Sequence, residues 1–192
     1  GRFMVTAEDF PLRALTGETM KPPLAGTLSG RLDSAEFSEG VLTTQGGFRV
    51  SAWDGTVAVS HVGGSRLLGP APSIQADLSL EGLDLAKLTS PLRFGQISGV
   101  LQGKIQGLRI GTAYPYLEAF RIDLETVKTR GVPQKIDARA VENISRIGGS
   151  STLTAAISSS ILRFFDEYHY RKIGIRATLQ DDELELYGIP KD

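Results

Sequence analysis

The stretch at residues 73–82 constrains the fold more than any other. Ile74, Ala76, Leu78 and Leu80 alternate there with Gln75, Asp77, Ser79 and Glu81. Successive side chains of an extended strand point to opposite faces, so the pattern predicts a strand with one apolar and one wet face. A helix would scatter the same four apolar residues around its circumference. Residues 46–62 repeat the signal as a hairpin: Phe48, Val50 and Ala52 alternate with Arg49, Ser51 and Trp53, and Val57 and Val59 share one side of the return strand. Asp54-Gly55 between them predicts a tight turn with positive φ. Pro22-Pro23, Gly69-Pro70 with Pro72, and Pro115 punctuate the region.

Glycine-spaced strands repeat. Gly26-Thr27-Leu28-Ser29-Gly30-Arg31-Leu32 matches Gly95-Gln96-Ile97-Ser98-Gly99-Val100-Leu101, 69 residues apart. Phe48-Arg49-Val50 is echoed by Phe120-Arg121-Ile122. Ile97, Leu101 and Ile105 are expected on one face, with Gly99, Gly103 and Gly107 between them. Glycines so placed indicate either a curved sheet or a concave face left open for a ligand.

Residues 83–90 read as one or two helical turns with Asp84 as N-cap. From about residue 135 the period changes to that of a helix. Ile136, Ala140, Val141, Ile144 and Ile147 form one stripe that ends at Gly148-Gly149. Leu153, Ala156, Ile157, Ile161, Phe164 and Tyr168 form a second, after Ser151-Thr152. That second stripe fits a helix packed on the sheet, or one lying on a membrane or partner. Ile173, Ile175, Ala177 and Leu179 then alternate as a strand, and the turn Asp181-Asp182 leads to Leu184 and Leu186.

The expected fold is a β-dominated α+β domain: a curved, mainly antiparallel sheet with two C-terminal helices packed on it or closing its end. It is read as one domain over 1–192, with strand-rich repeats in 1–132, a helical pair in 133–169 and a closing β-hairpin in 170–189. A chain of 192 residues buries roughly 70% of its unfolded surface and needs no covalent staple.

Chemistry is sparse. Lys plus Arg number 21 and Asp plus Glu 22, for a formal net charge of −1. That balance, without a dense basic cluster, argues against nucleic acid. Cysteine is absent, which removes disulfides, thiolate metal sites and a Cys nucleophile. His169 lies near Asp166 and Glu167 without a third metal ligand at motif spacing, and His61 has no acid or nucleophile nearby in sequence. Ser158-Ser159-Ser160 lacks the G-x-S-x-G context of a nucleophile elbow, and no phosphate-binding glycine loop occurs. Asp33, Glu36 and Glu39 are too sparse for a Ca²⁺ loop. No cofactor or metal is expected, and the domain is read as non-enzymatic. No apolar stretch approaches the ~20 residues of a membrane span. Starting at Gly1 rather than Met, the chain reads as a processed or excised piece.

Four segments in order resemble a known group. Phe94-Gly95-Gln96-Ile97-Ser98-Gly99-Val100-Leu101-Gln102-Gly103 resembles a G-x-[IV]-S-G-x-L-x-G strand of AsmA-like and YdbH-like proteins of Gram-negative bacteria. Leu80-Glu81-Gly82-Leu83-Asp84-Leu85-Ala86-Lys87-Leu88 precedes it, like that group's GLDL segment. Gln134-Lys135-Ile136 through Ala140-Val141-Glu142-Asn143-Ile144-Ser145 and Gly148-Gly149 resembles their C-terminal A-V-x-N-I-S helix. Tyr170-Arg171-Lys172-Ile173-Gly174-Ile175-Arg176-Ala177-Thr178-Leu179, with Leu186 and Gly188, fits their closing hairpin. The resemblance covers about 74–188; over 1–73 only the glycine-spaced echo supports it.

It implies a C-terminal piece of a periplasmic protein whose parent is anchored in the inner membrane. There an apolar β-groove would serve lipid transfer or outer-membrane maintenance, with phospholipid or another acyl-chain ligand and an envelope protein as possible partners. The expected lipid contacts are Leu78, Leu80, Ile97, Leu101 and Ile105. The alternatives are a protein–protein interaction or scaffold domain that touches no lipid, and a hydrolase whose site assembles only in space from His61 or His169, a serine and a carboxylate.

Overall fold

The computed structural model of the chain describes residues 2–18, 23–92, 95–147 and 166–187. Its strands are β1 (Arg2–Pro11), β2 (Thr27–Ser38), β3 (Val41–Ala52), β4 (Gly55–Ser65), β5 (Ser73–Asp84), β6 (Ile97–Ser98), β7 (Val100–Gly111), β8 (Leu117–Val127), β9 (Lys135–Asp137), β10 (Glu167–His169), β11 (Gly174–Gln180) and β12 (Glu183–Tyr187). Short helices α1 (Arg13–Thr16) and α2 (Leu85–Thr89) follow β1 and β5, and α3 (Ala138–Ile147) follows β9. Nine strands form one open sheet in the order β1-β2-β3-β4-β5-β7-β8-β11-β12, and β10-β9-β6 form a small second sheet. Among the described residues every strand pair is antiparallel. The expected β-dominated, mainly antiparallel architecture is what is found.

Local chemistry explains the turns and caps. Ala52 pairs with Gly55, so Trp53 and Asp54, both at positive φ, are the central turn residues. The sequence placed this turn one residue later, at Asp54-Gly55. Asp181 and Asp182, also at positive φ, make the β11–β12 turn where the sequence located it. Asp84 caps α2, its carboxylate accepting from the Ala86 N–H at 2.8 Å and the Lys87 N–H at 3.2 Å.

The C-terminal helices need correction. Residues 135–137 form β9 rather than the first turn of a helix, because Ile136 pairs with Ile97 on one side and Tyr168 on the other. The helix begins at Ala138, capped by Asp137, which accepts the Ala140 N–H at 2.6 Å. Tyr168 and His169 lie in β10, not at the end of a helix. The rest of the second helical stripe, Leu153 to Phe164, lies outside the described residues, as do Gly148-Gly149 and the three serines.

The glycine repeat is real, but its register is 73 residues (Leu12 to Leu85), not 69. Val5, Ala7, Phe10 and Pro11 pair with Leu32, Gly30, Leu28 and Thr27. Leu78, Leu80, Leu83 and Asp84 pair in the same way with Ile105, Gly103, Leu101 and Val100. Both pairings break at equivalent places, where Asp9 and Gly82 take positive φ. Leu12 and Leu85 each donate their N–H to the carbonyl of Gly26 and Gly99, at 3.0 Å in both units. Thr16 and Thr89 each bond back to those leucines' carbonyls, at 3.0 and 2.7 Å. Among the described residues, eight of the nine strands of the large sheet are thus two four-stranded units laid edge to edge, β1 to β4 and β5-β7-β8-β11, with β12 added at the far edge. In the first unit a two-residue turn joins the third and fourth strands. In the second, β9, α3 and β10 lie between β8 and β11.

Candidate functional site: an open apolar sheet face

Residues paired across an antiparallel sheet point to the same side. One row runs Ala7, Gly30, Phe48, Val59, Leu78, Ile105, Ile122, Ala177 and Leu186, one residue from each strand of the large sheet. The neighbouring row on that side is Phe10, Leu28, Val50, Val57, Leu80, Gly103, Leu124 and Ile175. Neither row contains a polar side chain. The opposite side carries Ser29, Arg49, Ala58, Ser79, Lys104, Asp123, Arg176 and Tyr187. Ion pairs sit on that wet side, Arg176 with Asp123 at 3.1 Å and Lys172 with Glu125 at 2.9 Å. The latter holds the Glu125 carboxyl below its usual range through a hydrogen bond from Lys172. Nine strands spaced about 4.8 Å apart make this amphipathic sheet about 38 Å wide.

Extra residues recur at one level of the sheet. Pairing slips at Gly46 in β3, His61 in β4 and Gly107 in β7, all at positive φ. A row of bulges bends neighbouring strands together, which suits a sheet that curves without closing.

One end of the apolar face is capped. Leu80, Leu83 and Leu101 from the sheet are buried in a single cluster with Leu85 of α2, Ile97 of β6, Ile136 of β9 and Ala140 of α3. Tyr170 locks the cap, its hydroxyl donating to the Ser98 carbonyl at 2.7 Å. A Cβ at Gly99 would collide with that hydroxyl, so this glycine serves the cap. Burial pushes the Tyr170 phenol above its ordinary value. The backbone of Ile173 and the side chain of Thr126 exchange hydrogen bonds of 3.2 and 2.9 Å where the chain re-enters the sheet.

The five expected lipid contacts divide here. Leu80, Ile97 and Leu101 are core residues of the cap, and Ile97 belongs to the small sheet rather than the large one. Leu78 and Ile105 are half-buried on the large face at the margin of the cap. Away from the cap, large apolar side chains remain accessible: Phe10 is 40% exposed, Ile175 45% and Leu186 51%. The sequence reading missed Phe48, Val59, Ile122 and Leu186 as members of the same row. Their alternation was visible, but which strand stands beside which was not.

Among the described residues neither histidine stands in a serine–histidine–acid relay. His61 meets a serine and a carboxylate, with Asp77 2.9 Å and Ser60 3.4 Å away, but both approach the same ring nitrogen, Nδ1. A relay needs the acid on one nitrogen and the nucleophile on the other. The His61 side chain is also 80% exposed. His169 lies on β10 beside Glu167, whose carboxylate binds Lys135 at 2.8 Å. Among the described residues no three potential ligands gather around a metal-sized site, and no helix is long and apolar enough to cross a membrane.

Fold and site together define a class: an open, amphipathic, antiparallel sheet built from repeated four-stranded units and capped at one end. Comparison with family models, curated proteins and solved structures gives no match.

Proposed function

We propose that the open apolar face shields acyl chains, and that the domain serves lipid transfer or outer-membrane maintenance in the periplasm as part of a protein anchored to the inner membrane. The observation that carries this reading is the pair of uninterrupted apolar rows across the large sheet, accessible beyond the cap. An acyl chain fills about 15 Å of hydrocarbon depth within one leaflet, so a face about 38 Å wide is long enough to hold one. About ten shielded CH₂ groups supply roughly 8 kcal/mol. Association costs at least ~4 kcal/mol, so capture and release both stay within reach. Transfer of this kind uses no catalyst. The compartment and the anchor rest on the resemblance to AsmA-like and YdbH-like proteins.

A photoreactive side chain at position 78, 105 or 122 tests the reading in living cells. Phospholipid crosslinks are expected from all three positions and from none on the wet side, such as 104. A folded protein that crosslinks only to protein from the apolar positions would remove the lipid reading and favour a scaffold.

A further inference from the structure

The two units differ where β9 lies, and the difference leaves Leu24-Ala25 without a neighbouring strand among the described residues. In the second unit Ile97-Ser98 forms β6 and is covered by β9, with Ile136 opposite Ile97. Leu24-Ala25 stands 73 residues earlier, at the equivalent position, and the correspondence extends to its hydrogen bonds. The Leu24 N–H donates to the Thr16 hydroxyl at 2.9 Å, as the Ile97 N–H does to the Thr89 hydroxyl at 3.4 Å. Among the described residues no strand pairs with Leu24-Ala25. Beside it is a cleft of about 730 Å³. Leu24, Ala52, Trp53, Leu88 and Pro91 line it, and the Lys87–Asp54 ion pair of 2.7 Å stands at its rim.

We infer that this cleft binds an extended peptide segment of a partner protein, which adds as a strand to Leu24-Ala25 and places an aliphatic side chain where Ile136 sits in the second unit. The occupied twin supplies the chemistry. In the second unit the Asp137 N–H donates to the Gln96 carbonyl at 3.0 Å, and the Asp137 carboxylate accepts the Gln96 N–H at 2.7 Å. Pro23 stands in place of Gln96, so the first unit offers the carbonyl but no N–H. The ligand therefore carries an aliphatic residue followed by a neutral one, since an acid there would find no donor. Backbone pairing supplies the affinity and the aliphatic pocket the selectivity, as in other strand-addition sites. The inference is independent of the lipid reading.

Trp53 is the one tryptophan of the chain and lines the cleft, so its fluorescence reports occupancy. The whole 192-residue chain is titrated with a peptide of the 132–141 sequence carrying Asp137→Ala. A saturable blue shift is expected. Ile136→Asp in the peptide should raise half-saturation at least tenfold. A25P in the protein, at an exposed residue, should do the same by removing the pairing N–H. No saturable response, or an equal response to the Ile136→Asp peptide, would overturn the proposal. Two further results would also overturn it. One is quenching of Trp53 by vesicles of brominated phosphatidylcholine that the peptide fails to relieve, which would give the cleft to acyl chains. The other is a shift that depends on protein concentration alone, which would give it to a second copy.

Discussion

At the residue scale, two glycines of similar appearance in sequence do different work. Gly99 takes φ of +149° directly under the Tyr170 hydroxyl, whereas Gly107 takes +59° in a bulge with nothing within 4 Å of an added Cβ. Gly99→Ala combines backbone strain with a collision inside the cap and should cost more than about 3 kcal/mol. Gly107→Ala carries only the left-handed penalty of about 1–2 kcal/mol. Denaturant midpoints of the two variants check the order. Tyr170 adds a pH dependence. Its phenol titrates above the ordinary value in the folded state because burial disfavours the phenolate. The folded protein thus holds this proton more tightly than the unfolded chain does. Its contribution is complete below about pH 10, the unfolded value, and is lost as pH rises through the higher folded value. Tyr170→Phe should cost about 1 kcal/mol at pH 8 by losing the bond to Ser98, and should flatten the decline above pH 10. Urea unfolding at pH 8 and pH 10.5 measures both effects.

At the element scale, the cap and the open face should respond differently to the same change. Leu101 lies in the core cluster, so Leu101→Arg buries an unpaired charge and should abolish folding. Ile122 is half-buried on the face beyond the cap, so Ile122→Arg should leave a cooperative transition while removing lipid capture. Within α3, Ala140 is fully buried and Arg139 beside it is exposed. Ala140→Asp should cost several kcal/mol and Arg139→Ala less than about 0.5 kcal/mol. Thermal melts of the four variants, with lipid extraction for the Ile122 protein, decide. Equal loss of folding in both arginine variants would mean that the face beyond the cap is also core.

At the scale of the whole molecule, the sheet ends in two unpaired edges, β1 and β12, among the described residues. Amide exchange should be slowest in β5, β7 and β8, which pair on both sides and lie under the cap, and fastest in β1 and β12. Much of this arrangement was legible in the residues. Strict alternation from Ile74 to Leu80 determined a two-faced strand, Asp84 determined a helix start, and Asp181-Asp182 determined a turn, because each signal acts over a few neighbouring residues. What tertiary structure alone decided was which repeats correspond and what lies over them. The G-x-x-S-G match at 69 residues is a coincidence of glycines, whereas the 73-residue register appears only when bulges and pairing partners coincide. Residues 135–137 have a helical neighbourhood yet form a strand, because β6 and β10 satisfy their backbone. Leu80 and Leu101 became core while Leu78 and Ile105 stayed at the margin, on strands whose alternation is the same throughout. Periodicity specifies which face a side chain joins. Whether that face is covered depends on a cap that reaches it from as far along the chain as Tyr170, and no local pattern encodes such a contact.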